Sequence, residues 1–243
     1  MAASSSPPAA PGTDRVRVSV VIPTLNAGHS LSATVTALET GPDHGVDIEL
    51  VVVDGGSTDG TVETARTLGA RLVHAKRGRG SQLRTGGFRA AGPWLLFLHA
   101  DTRLGAGWPR DVADLARTPQ RAGWFRFALD DDSARARRLE RLVHWRSRRL
   151  GLPYGDQGLV IHRDLYHRLG GYPDIPLMED VALVRRIGRA RLVGLPTPAV
   201  TSAARYRRDG YLLRSIRNLL CLSLYGLGVP PRRIARLYGR SGE

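Results

Sequence analysis

The chain has 243 residues, a formal net charge of +14 and one cysteine, Cys221. Its apolar fraction of 42% and charged fraction of 24% are those of a globular protein, which argues against a disordered or fibrous chain. A single cysteine excludes an internal disulfide and a cysteine-only zinc cluster, and the length suits one domain with an extension.

Positive charge is concentrated in two segments. Residues 133–149 contain seven arginines and one glutamate, and residues 201–243 contain nine arginines, one aspartate and one glutamate. Such local excesses of arginine raise nucleic acid and anionic membranes as partners. No helix-turn-helix or RNA-recognition motif accompanies the charge, so nucleic acid is the less favoured of the two.

Neither a signal nor a spanning helix is expected. Residues 1–14 are rich in alanine, serine and proline and lack the basic start and apolar stretch of a secretory signal, so we expect a disordered lead. The most apolar window, 211–229, is interrupted by Arg214 and Arg217. We therefore expect a cytoplasmic protein.

The first half of the chain alternates between strand and helix patterns. Such a β-α-β-α order favours a parallel sheet with right-handed crossovers, the layout of many nucleotide-binding domains. The predicted strands are 16–22, 48–53, 71–74 and 94–98, and the predicted helices are 30–38, 58–68 and 80–91.

The second half is mixed, and helices end the chain. We expect an α/β domain over residues 15–205 and a basic amphipathic helical extension over residues 206–243. The predicted strands here are 124–129 and 158–162, and the predicted helices are 133–150, 178–187 and a helical segment from 211 that is broken at 226–231.

Polar clusters follow the predicted strands. In an open parallel sheet, ligands bind beyond the carboxyl ends of the strands, so the joint placement of these clusters favours a binding site, although each alone is also an ordinary turn sequence. A dinucleotide fingerprint and a P-loop are both absent from the sequence, which disfavours a Rossmann dehydrogenase and a P-loop nucleotidase. The clusters are residues 23–26, 54–60, 77–80 and 99–101.

Several motifs resemble family 2 glycosyltransferases. They are VVIPTLN at 20–26, VVDGGSTDGT at 52–61, LHADT at 98–102, and GGY at 170–172 with MED at 178–180. The resemblance covers residues 16 to about 188. It implies a GT-A fold with a Rossmann-like, mostly parallel sheet. It also implies an inverting single displacement that moves a sugar from a nucleotide-diphosphate sugar, commonly a UDP-sugar, to a hydroxyl acceptor.

The resemblance also implies residue roles by position. Asp101 would hold Mg²⁺ or Mn²⁺, with His99 standing where the family often has another aspartate, and Asp180 would be the catalytic base. Both acids of the pair 179–180 would alternatively sit well at a helix N-terminus, where the helix dipole favours anions. The nucleotide-sugar contacts would come from Pro23, Thr24, Asn26, Asp54, Ser57, Arg79, Arg84, Ala100 and Asp101. Contacts to the donor sugar or acceptor would come from Asp156, Gln157 and Glu179.

Other functions stay open at this point. A nucleotidyltransferase would share the nucleotide and metal sites but use the α-phosphate as electrophile, and a basic nucleic-acid-binding protein would need only the charge. A lipid-linked acceptor and attachment to the inner membrane face are compatible with an apolar stripe in the extension. That stripe would either lie in a membrane interface or pack on the core. It consists of Leu212, Leu213, Ile216, Leu219 and Leu220.

Overall fold

A computed structural model describes residues 15–238 of the chain. The expected disordered lead at 1–14 lies outside the described residues, as does the end of the predicted extension, 239–243. The strands are β1 Val16–Thr24, β2 Val46–Asp54, β3 Arg71–His74, β4 Trp94–Phe97, β5 Thr102–Leu104, β6 Ala122–Leu129, β7 Leu159–His162 and β8 Leu192–Thr201.

Helices cover both faces of the sheet formed by these strands. Single 3-10 turns at Gly155–Gln157 and Arg189–Arg191 complete the regular structure. The helices are α1 Leu31–Thr36, α2 Thr40–Asp43, α3 Thr61–Thr67, α4 Arg79–Arg89, α5 Trp108–Ala116, α6 Ala134–Leu150, α7 Arg163–Arg168, α8 Glu179–Ile187, α9 Ala204–Asp209, α10 Tyr211–Gly226 and α11 Pro231–Tyr238.

The strands form one eight-stranded sheet of order β3-β2-β1-β4-β7-β6-β8-β5. In its first half, β1 pairs in parallel with β2 and β4, and β2 pairs in parallel with β3, as the alternating pattern predicts. Strand β1 is buried on both faces, since Val20 and Ile22 join one core cluster and Val21 joins the other. The carboxyl ends of these strands therefore meet at one edge of the sheet.

The second half of the sheet is mixed, as predicted. Strand β7 is antiparallel to β4 and β6, whereas β6 and β8 are parallel. Strand β8 is not predicted from the sequence because it contains Pro196 and Pro198, which strand interiors rarely tolerate. The structure accommodates them at a bulge, where the register with β6 shifts and the Asp111 carboxylate accepts a hydrogen bond from Thr197 N at 3.0 Å.

The basic helix α6 begins and ends close to its predicted bounds. Ser133 Oγ accepts a hydrogen bond from Ala136 N at 3.2 Å at its start, and Gly151 ends it with a φ of +64°. The short elements α2, β5, α7 and α9 and the helix α5 have too few periodic residues to be predicted from sequence.

Helices α9 to α11 form the described part of the extension. Tyr211 Oη donates to Asp131 Oδ2 at 2.7 Å, which ties α10 to the start of α6. Of the two alternatives for the apolar stripe of α10, the structure does not show packing on the core. Its residues are 54–74% exposed because Arg214 and Arg217 face inward and donate to Asp209 Oδ2. Within residues 15–238, no helix has the length and apolar character needed to cross a bilayer.

Candidate active site

Two loops at the carboxyl edge of the sheet are bonded to each other. Asn26 Oδ1 accepts a hydrogen bond from Thr58 N at 2.9 Å, and Asn26 N donates to Ser57 Oγ at 2.9 Å. Asn26 has a φ of +52°, a left-handed conformation that asparagine tolerates better than most residues. The next residue, Ala27, donates its backbone N–H to Thr61 Oγ1, at the start of α3, at 2.8 Å. The loops after β1 and β2 therefore form one surface.

Asp54 is the buried anchor of that surface. Its Oδ2 accepts hydrogen bonds from Gly56 N at 2.9 Å and Ser57 N at 3.0 Å, and its Oδ1 accepts from Ser57 Oγ and Thr24 Oγ1. Burial raises the pKa of Asp54, but these hydrogen bonds outweigh burial and leave the pKa below its ordinary value. Asp54 is thus an ionised carboxylate that shapes the loop, and its contact with a nucleotide stays a prediction.

Gln82 is a site-supporting residue that the sequence reasoning missed. Its buried Nε2 donates to Thr24 O at 2.7 Å and Val53 O at 2.8 Å, so α4 is bonded to the ends of β1 and β2. A Cβ on Gly55 would lie 3.0 Å from the Gln82 amide, which explains the glycine at that position. One feature of the sequence could have indicated this role: Gln82 lies near the start of a helix that directly follows one of the polar clusters.

Arg79, at the start of α4, joins the edge of the sheet to the Glu-Asp pair. Its Nε donates to the carboxylate of Glu179, which is 1% exposed, and its Nη2 lies 3.9 Å from Asp180 Oδ2. Burial raises the pKa of Glu179, Arg79 opposes that effect, and Asp180 adds to it. Burial alone would lower the pKa of Arg79, but the two carboxylates raise it above its ordinary value.

Asp180 is held by backbone groups. Its Oδ2 accepts a hydrogen bond from Gly155 N at 2.9 Å and its Oδ1 accepts from Val181 N at 2.7 Å. Each carboxylate oxygen thus has a lone pair left for another donor. Met178, just before the pair, has a φ of +69°, a conformation that costs energy for a residue with a side chain.

A third carboxyl group faces the same place. Burial raises the pKa of Asp156 from 3.8 to about 6, with Asp180 and Asp101 also raising it and Arg146 and Arg79 opposing. Asp156 Oδ1 is buried and has no hydrogen-bond partner among the described residues. We call Asp101, Asp156, Glu179 and Asp180 the acid cluster.

His99 borders the acid cluster as a neutral imidazole. Burial, together with Arg79 and Arg205, lowers its pKa to about 3. Its Nε2 is buried and unpartnered within the described residues, and it lies 2.8 Å from the position that a Cβ on Gly155 would occupy. A side chain at position 155 would therefore displace the His99 ring.

These donor atoms fit part of a divalent-cation site. Carboxylate oxygens suit Mg²⁺ and Mn²⁺, and imidazole is acceptable to Mn²⁺. The unpartnered atoms, Asp156 Oδ1 and His99 Nε2, lie beside the carboxylates. Among the described residues, no group of three or more His, Cys, Asp or Glu side chains is arranged so that it could hold a metal ion by itself. The remaining ligands would therefore come from a bound phosphate group and water.

The C-terminal helices border the acid cluster, which the sequence did not reveal. Burial raises the pKa of Tyr206 to about 12, and the Asp156 carboxyl group adds to that rise, which indicates that Tyr206 and Asp156 are neighbours. Arg214 lies 5.2 Å from the Tyr206 ring centroid, and Arg205 is among the groups that lower the pKa of His99. Helices α9 and α10 therefore form one wall of the site.

Not every predicted site residue reaches the acid cluster. Arg84 donates to Gly170 O at 2.7 Å and Tyr172 O at 3.1 Å, so it fixes the Gly-Gly-Tyr turn. Gln157 is fully buried, with Oε1 accepting from Ser147 Oγ at 2.9 Å and Nε2 donating to Phe125 O at 3.3 Å. Their ligand contacts stay predictions.

Two further predicted residues belong to the strand ends. Pro23 is the partly buried penultimate residue of β1, on the bonded surface formed by the loops after β1 and β2. Ala100 is buried, and its carbonyl accepts a hydrogen bond from Thr34 Oγ1 at 2.8 Å, which orients the turn that carries Asp101. Both lie at the carboxyl edge where the resemblance places the nucleotide.

Comparison with known proteins decides the family. The family model described as "Glycosyl transferase family 2" matches residues 19–169, more than half of the chain. The chain belongs to glycosyl transferase family 2. The match includes Asp54, Arg79, Asp101 and Asp156, and it ends before the Glu-Asp pair.

Curated relatives are glycosyltransferases that match part of the chain. A PGL/p-HBAD biosynthesis glycosyltransferase of Mycobacterium bovis is 41% identical over 93 residues, 35% of this chain and 36% of the relative. An uncharacterized glycosyltransferase of Mycobacterium tuberculosis is 37% identical over 100 residues, 40% of this chain and 43% of the relative. The matches thus span less than half of these relatives' length.

Solved structures share the fold. Glucosyl-3-phosphoglycerate synthase from M. tuberculosis, solved with Mn²⁺, UDP and glucosyl-3-phosphoglycerate, has a TM-score of 0.62 at 20% identity and covers 89% of this chain and 81% of its own. A mannosyltransferase from Pyrobaculum calidifontis, solved with GDP-Man and Mn²⁺, has a TM-score of 0.58 at 22% identity, covering 84% and 65%. The fold of this family 2 glycosyltransferase is GT-A.

The raised pKa of Asp156 predicts a pH-dependent stability. Because the folded pKa lies near 6 and the unfolded value near 3.8, the stabilising effect of the protonated form is lost as pH rises through about 6. In EDTA, so that no metal is bound, Asp156→Asn should raise the free energy of unfolding at pH 7 by at most about 3 kcal/mol and so raise the melting temperature. Near pH 4 the variant and the wild-type protein should melt at the same temperature. Asp114→Asn, on the exposed face of α5, is the control. If Asp156→Asn and the wild-type protein had the same melting temperature at pH 7 as well as at pH 4, the raised pKa of Asp156 would be contradicted.

Proposed function

We propose that this family 2 glycosyltransferase moves a sugar from a nucleotide-diphosphate sugar, most simply a UDP-sugar, to a hydroxyl acceptor with inversion. The observation that carries the proposal is the convergence of Asp101, Asp156 and Asp180 with Arg79 beside the carboxyl ends of β1, β2 and β4. Relatives with this fold were solved with UDP or GDP-Man and Mn²⁺, which supports a donor of this class.

The donor would lie across the bonded loops after β1 and β2. Pro23, Thr24, Asn26 and Ser57 form the part of that surface proposed to hold the base and ribose, with Asp54 fixing its shape. Asp101 would hold Mg²⁺ or Mn²⁺, with Asp156 Oδ1 and His99 Nε2 as the nearby unpartnered donor atoms. When bound, such a cation neutralises the charge that develops on a departing diphosphate.

Asp180 is the proposed general base. In the transfer step the acceptor oxygen bonds to the anomeric carbon, the bond from that carbon to the diphosphate oxygen breaks, and Asp180 takes the proton of the acceptor hydroxyl. The nucleoside diphosphate leaves with the electron pair. Hydrogen bonds from Gly155 N and Val181 N orient the carboxylate without using all its lone pairs. A single displacement of this kind inverts the anomeric configuration.

Glu179 has a different proposed part. It is buried against Arg79, and this ion pair keeps the guanidinium within 3.9 Å of Asp180 Oδ2. Family membership favours glycosyl transfer over nucleotidyl transfer and over nucleic-acid binding, and free UDP rather than pyrophosphate as product would distinguish the two enzymes.

Removing the metal ligand should abolish the metal dependence of donor binding. Asp101→Ala should weaken UDP binding in the presence of Mn²⁺ by about tenfold or more, because the diphosphate charge loses its compensation. Calorimetry measures this, with EDTA as the metal-free reference and Asp114→Ala as the matched control. Unchanged affinity in Asp101→Ala would remove Asp101 from the site.

Removing the base should affect transfer and spare binding. Asp180→Asn should keep UDP affinity and lower the transfer rate by about 10²- to 10⁴-fold, because an amide has the shape of the carboxylate but does not accept the proton. Asp174→Asn, an exposed aspartate in the preceding loop, is the control. Near-normal turnover by Asp180→Asn, measured with an acceptor found by screening, would contradict the role of Asp180 as general base. Retention of the anomeric configuration in the product would contradict a single displacement.

The acceptor side of the proposal concerns the outer face of α10. Leu212, Leu213, Ile216, Leu219 and Leu220 cover this face, and Leu227 extends it with 82% exposure. The inner face carries Cys221, Arg214 and the contacts to the active-site wall. An apolar face of this kind beside an active site marks a surface that binds a partner or a membrane.

An anionic phospholipid surface is the proposed occupant. Helix α11 follows directly and exposes Arg232, Arg233 and Arg236 next to Leu237, so cations flank the apolar face. A second copy of the chain would place two such sets of arginines together in a two-fold interface, which is unfavourable at +14 per copy. The acceptor hydroxyl would then be presented at a lipid surface, as in a lipid-linked acceptor.

Vesicle binding tests the α10 surface. The protein should co-sediment with vesicles that contain phosphatidylglycerol at low salt, and about 0.5 M salt should weaken binding by screening. Leu213→Gln/Leu220→Gln should reduce binding while UDP affinity stays unchanged. Leu150→Gln, which alters one exposed leucine at the end of α6, is the control and is compared with the single variant Leu213→Gln. A concentration-dependent dimer that the α10 variant disrupts, without vesicle binding, would contradict the lipid assignment.

A further inference from the structure

A cavity of about 680 Å³ lies beside α6, apart from the acid cluster. A second cavity of about 600 Å³ shares Arg126, His144, Arg148 and Arg189 with the first, so the two form a continuous groove between α6, β6 and β8. We call it the arginine groove. Its guanidinium groups belong to Arg126, Arg141, Arg148, Arg149 and Arg189.

The helical repeat explains why these arginines share a groove. Arg141, Trp145 and Arg149 follow each other at intervals of four residues, so they lie on one side of α6. Arg146 lies on another side of α6, where its guanidinium stacks 3.6 Å from the Tyr154 ring centroid. Its positive charge opposes the rise in the pKa of Asp156. The arginine groove and the acid cluster are therefore separated by the helix itself.

The positive charge of the arginine groove is uncompensated. Glu140 is the acidic residue in its lining, and its carboxylate already accepts hydrogen bonds from Arg137 Nη1 at 2.8 Å and Leu129 N at 2.8 Å. Over residues 15–238, none of the five arginines of the groove forms an ion pair. Like charges around one cavity repel each other, so a bound anion would relieve that repulsion.

The chemistry of the lining indicates the kind of anion. Guanidinium groups bind phosphate oxygens through paired N–H donors, and several of them around one cavity suit a ligand with more than one charge. His144 Nδ1 is buried without a hydrogen-bond partner in the described part of the chain, and the Trp145 ring is 55% exposed at the rim. We propose that the arginine groove binds a phosphate-bearing anion at a site separate from the nucleotide-sugar site.

Two sources offer this chemistry. One is a soluble phosphorylated compound held within the cavity, whose volume lies in the range of small-molecule sites. The other is the phosphate of a lipid headgroup, since Leu142 and Trp145 are exposed on the same helix. The test therefore has an arm for each source and compares the same pair of variants in both.

Calorimetry with inorganic pyrophosphate at low salt tests the soluble source. EDTA is present, so that metal-assisted binding at the acid cluster does not contribute. The groove variant is Arg141→Gln/Arg148→Gln, and the matched control is Arg135→Gln/Arg138→Gln, which removes the same charge from exposed positions of the same helix. We expect one pyrophosphate per chain, a loss of affinity of about tenfold or more in the groove variant, and a change of about twofold or less in the control.

Co-sedimentation with phosphatidate vesicles, against phosphatidylcholine vesicles, tests the lipid source with the same variants. Selective loss in the groove variant, without pyrophosphate binding by the wild-type protein, would support the proposal with a headgroup phosphate as ligand. If both variants lost binding equally, the proposal would be overturned, because the loss would reflect net charge alone. If neither variant lost binding of pyrophosphate or of vesicles, the proposal would also be overturned, because the groove would then not be the binding site. Selective loss of duplex DNA binding alone would overturn it in favour of a nucleic-acid surface.

Discussion

The candidate active site depends on charge balance around Arg79. The carboxyl groups of Asp156, Glu179 and Asp180 are close enough to influence one another in a partly dehydrated region, where like charges repel more strongly than in water. Arg79 contacts Glu179 and lies 3.9 Å from Asp180, so one guanidinium compensates two of them. Burial is the main cause of the raised pKa of Asp156; Asp180 and Asp101 add to it, and Arg146 and Arg79 oppose it.

The parallel half of the fold could be predicted because its physics is local. The C-terminal parts of β1 and β2 are buried on both faces of the sheet, so they appear in the sequence as the apolar runs 20–22 and 50–53, each of which leads into a polar loop. The positions of Asp54 and Asp101 at one edge then follow from topology alone. Their roles came from a resemblance, whereas the way in which Asp54 holds its loop is visible only in the hydrogen bonds it accepts.

What the sequence could not provide depends on contacts between distant residues. Gln82 looks like any helix glutamine until β1 and β2 place their carbonyls beside its amide. The placement of Tyr206 beside Asp156 joins positions 50 residues apart, and no local pattern encodes it. The orientation of α10 was left undecided by its periodicity, because Asp209 selects which face turns inward by binding Arg214 and Arg217.

The left-handed backbone of Met178 has a consequence for how the acid pair is aimed. Such a conformation costs a residue with a Cβ about 1–2 kcal/mol, whereas glycine adopts it freely. Glycine at position 178 would relieve the strain. It would also give the unfolded chain more conformational freedom and would make the segment that leads into α8 more flexible. A methionine here gives up some folding energy and narrows the directions in which the next two side chains point. The direction of the Glu179 and Asp180 side chains is thus constrained by the strained backbone of the residue before them.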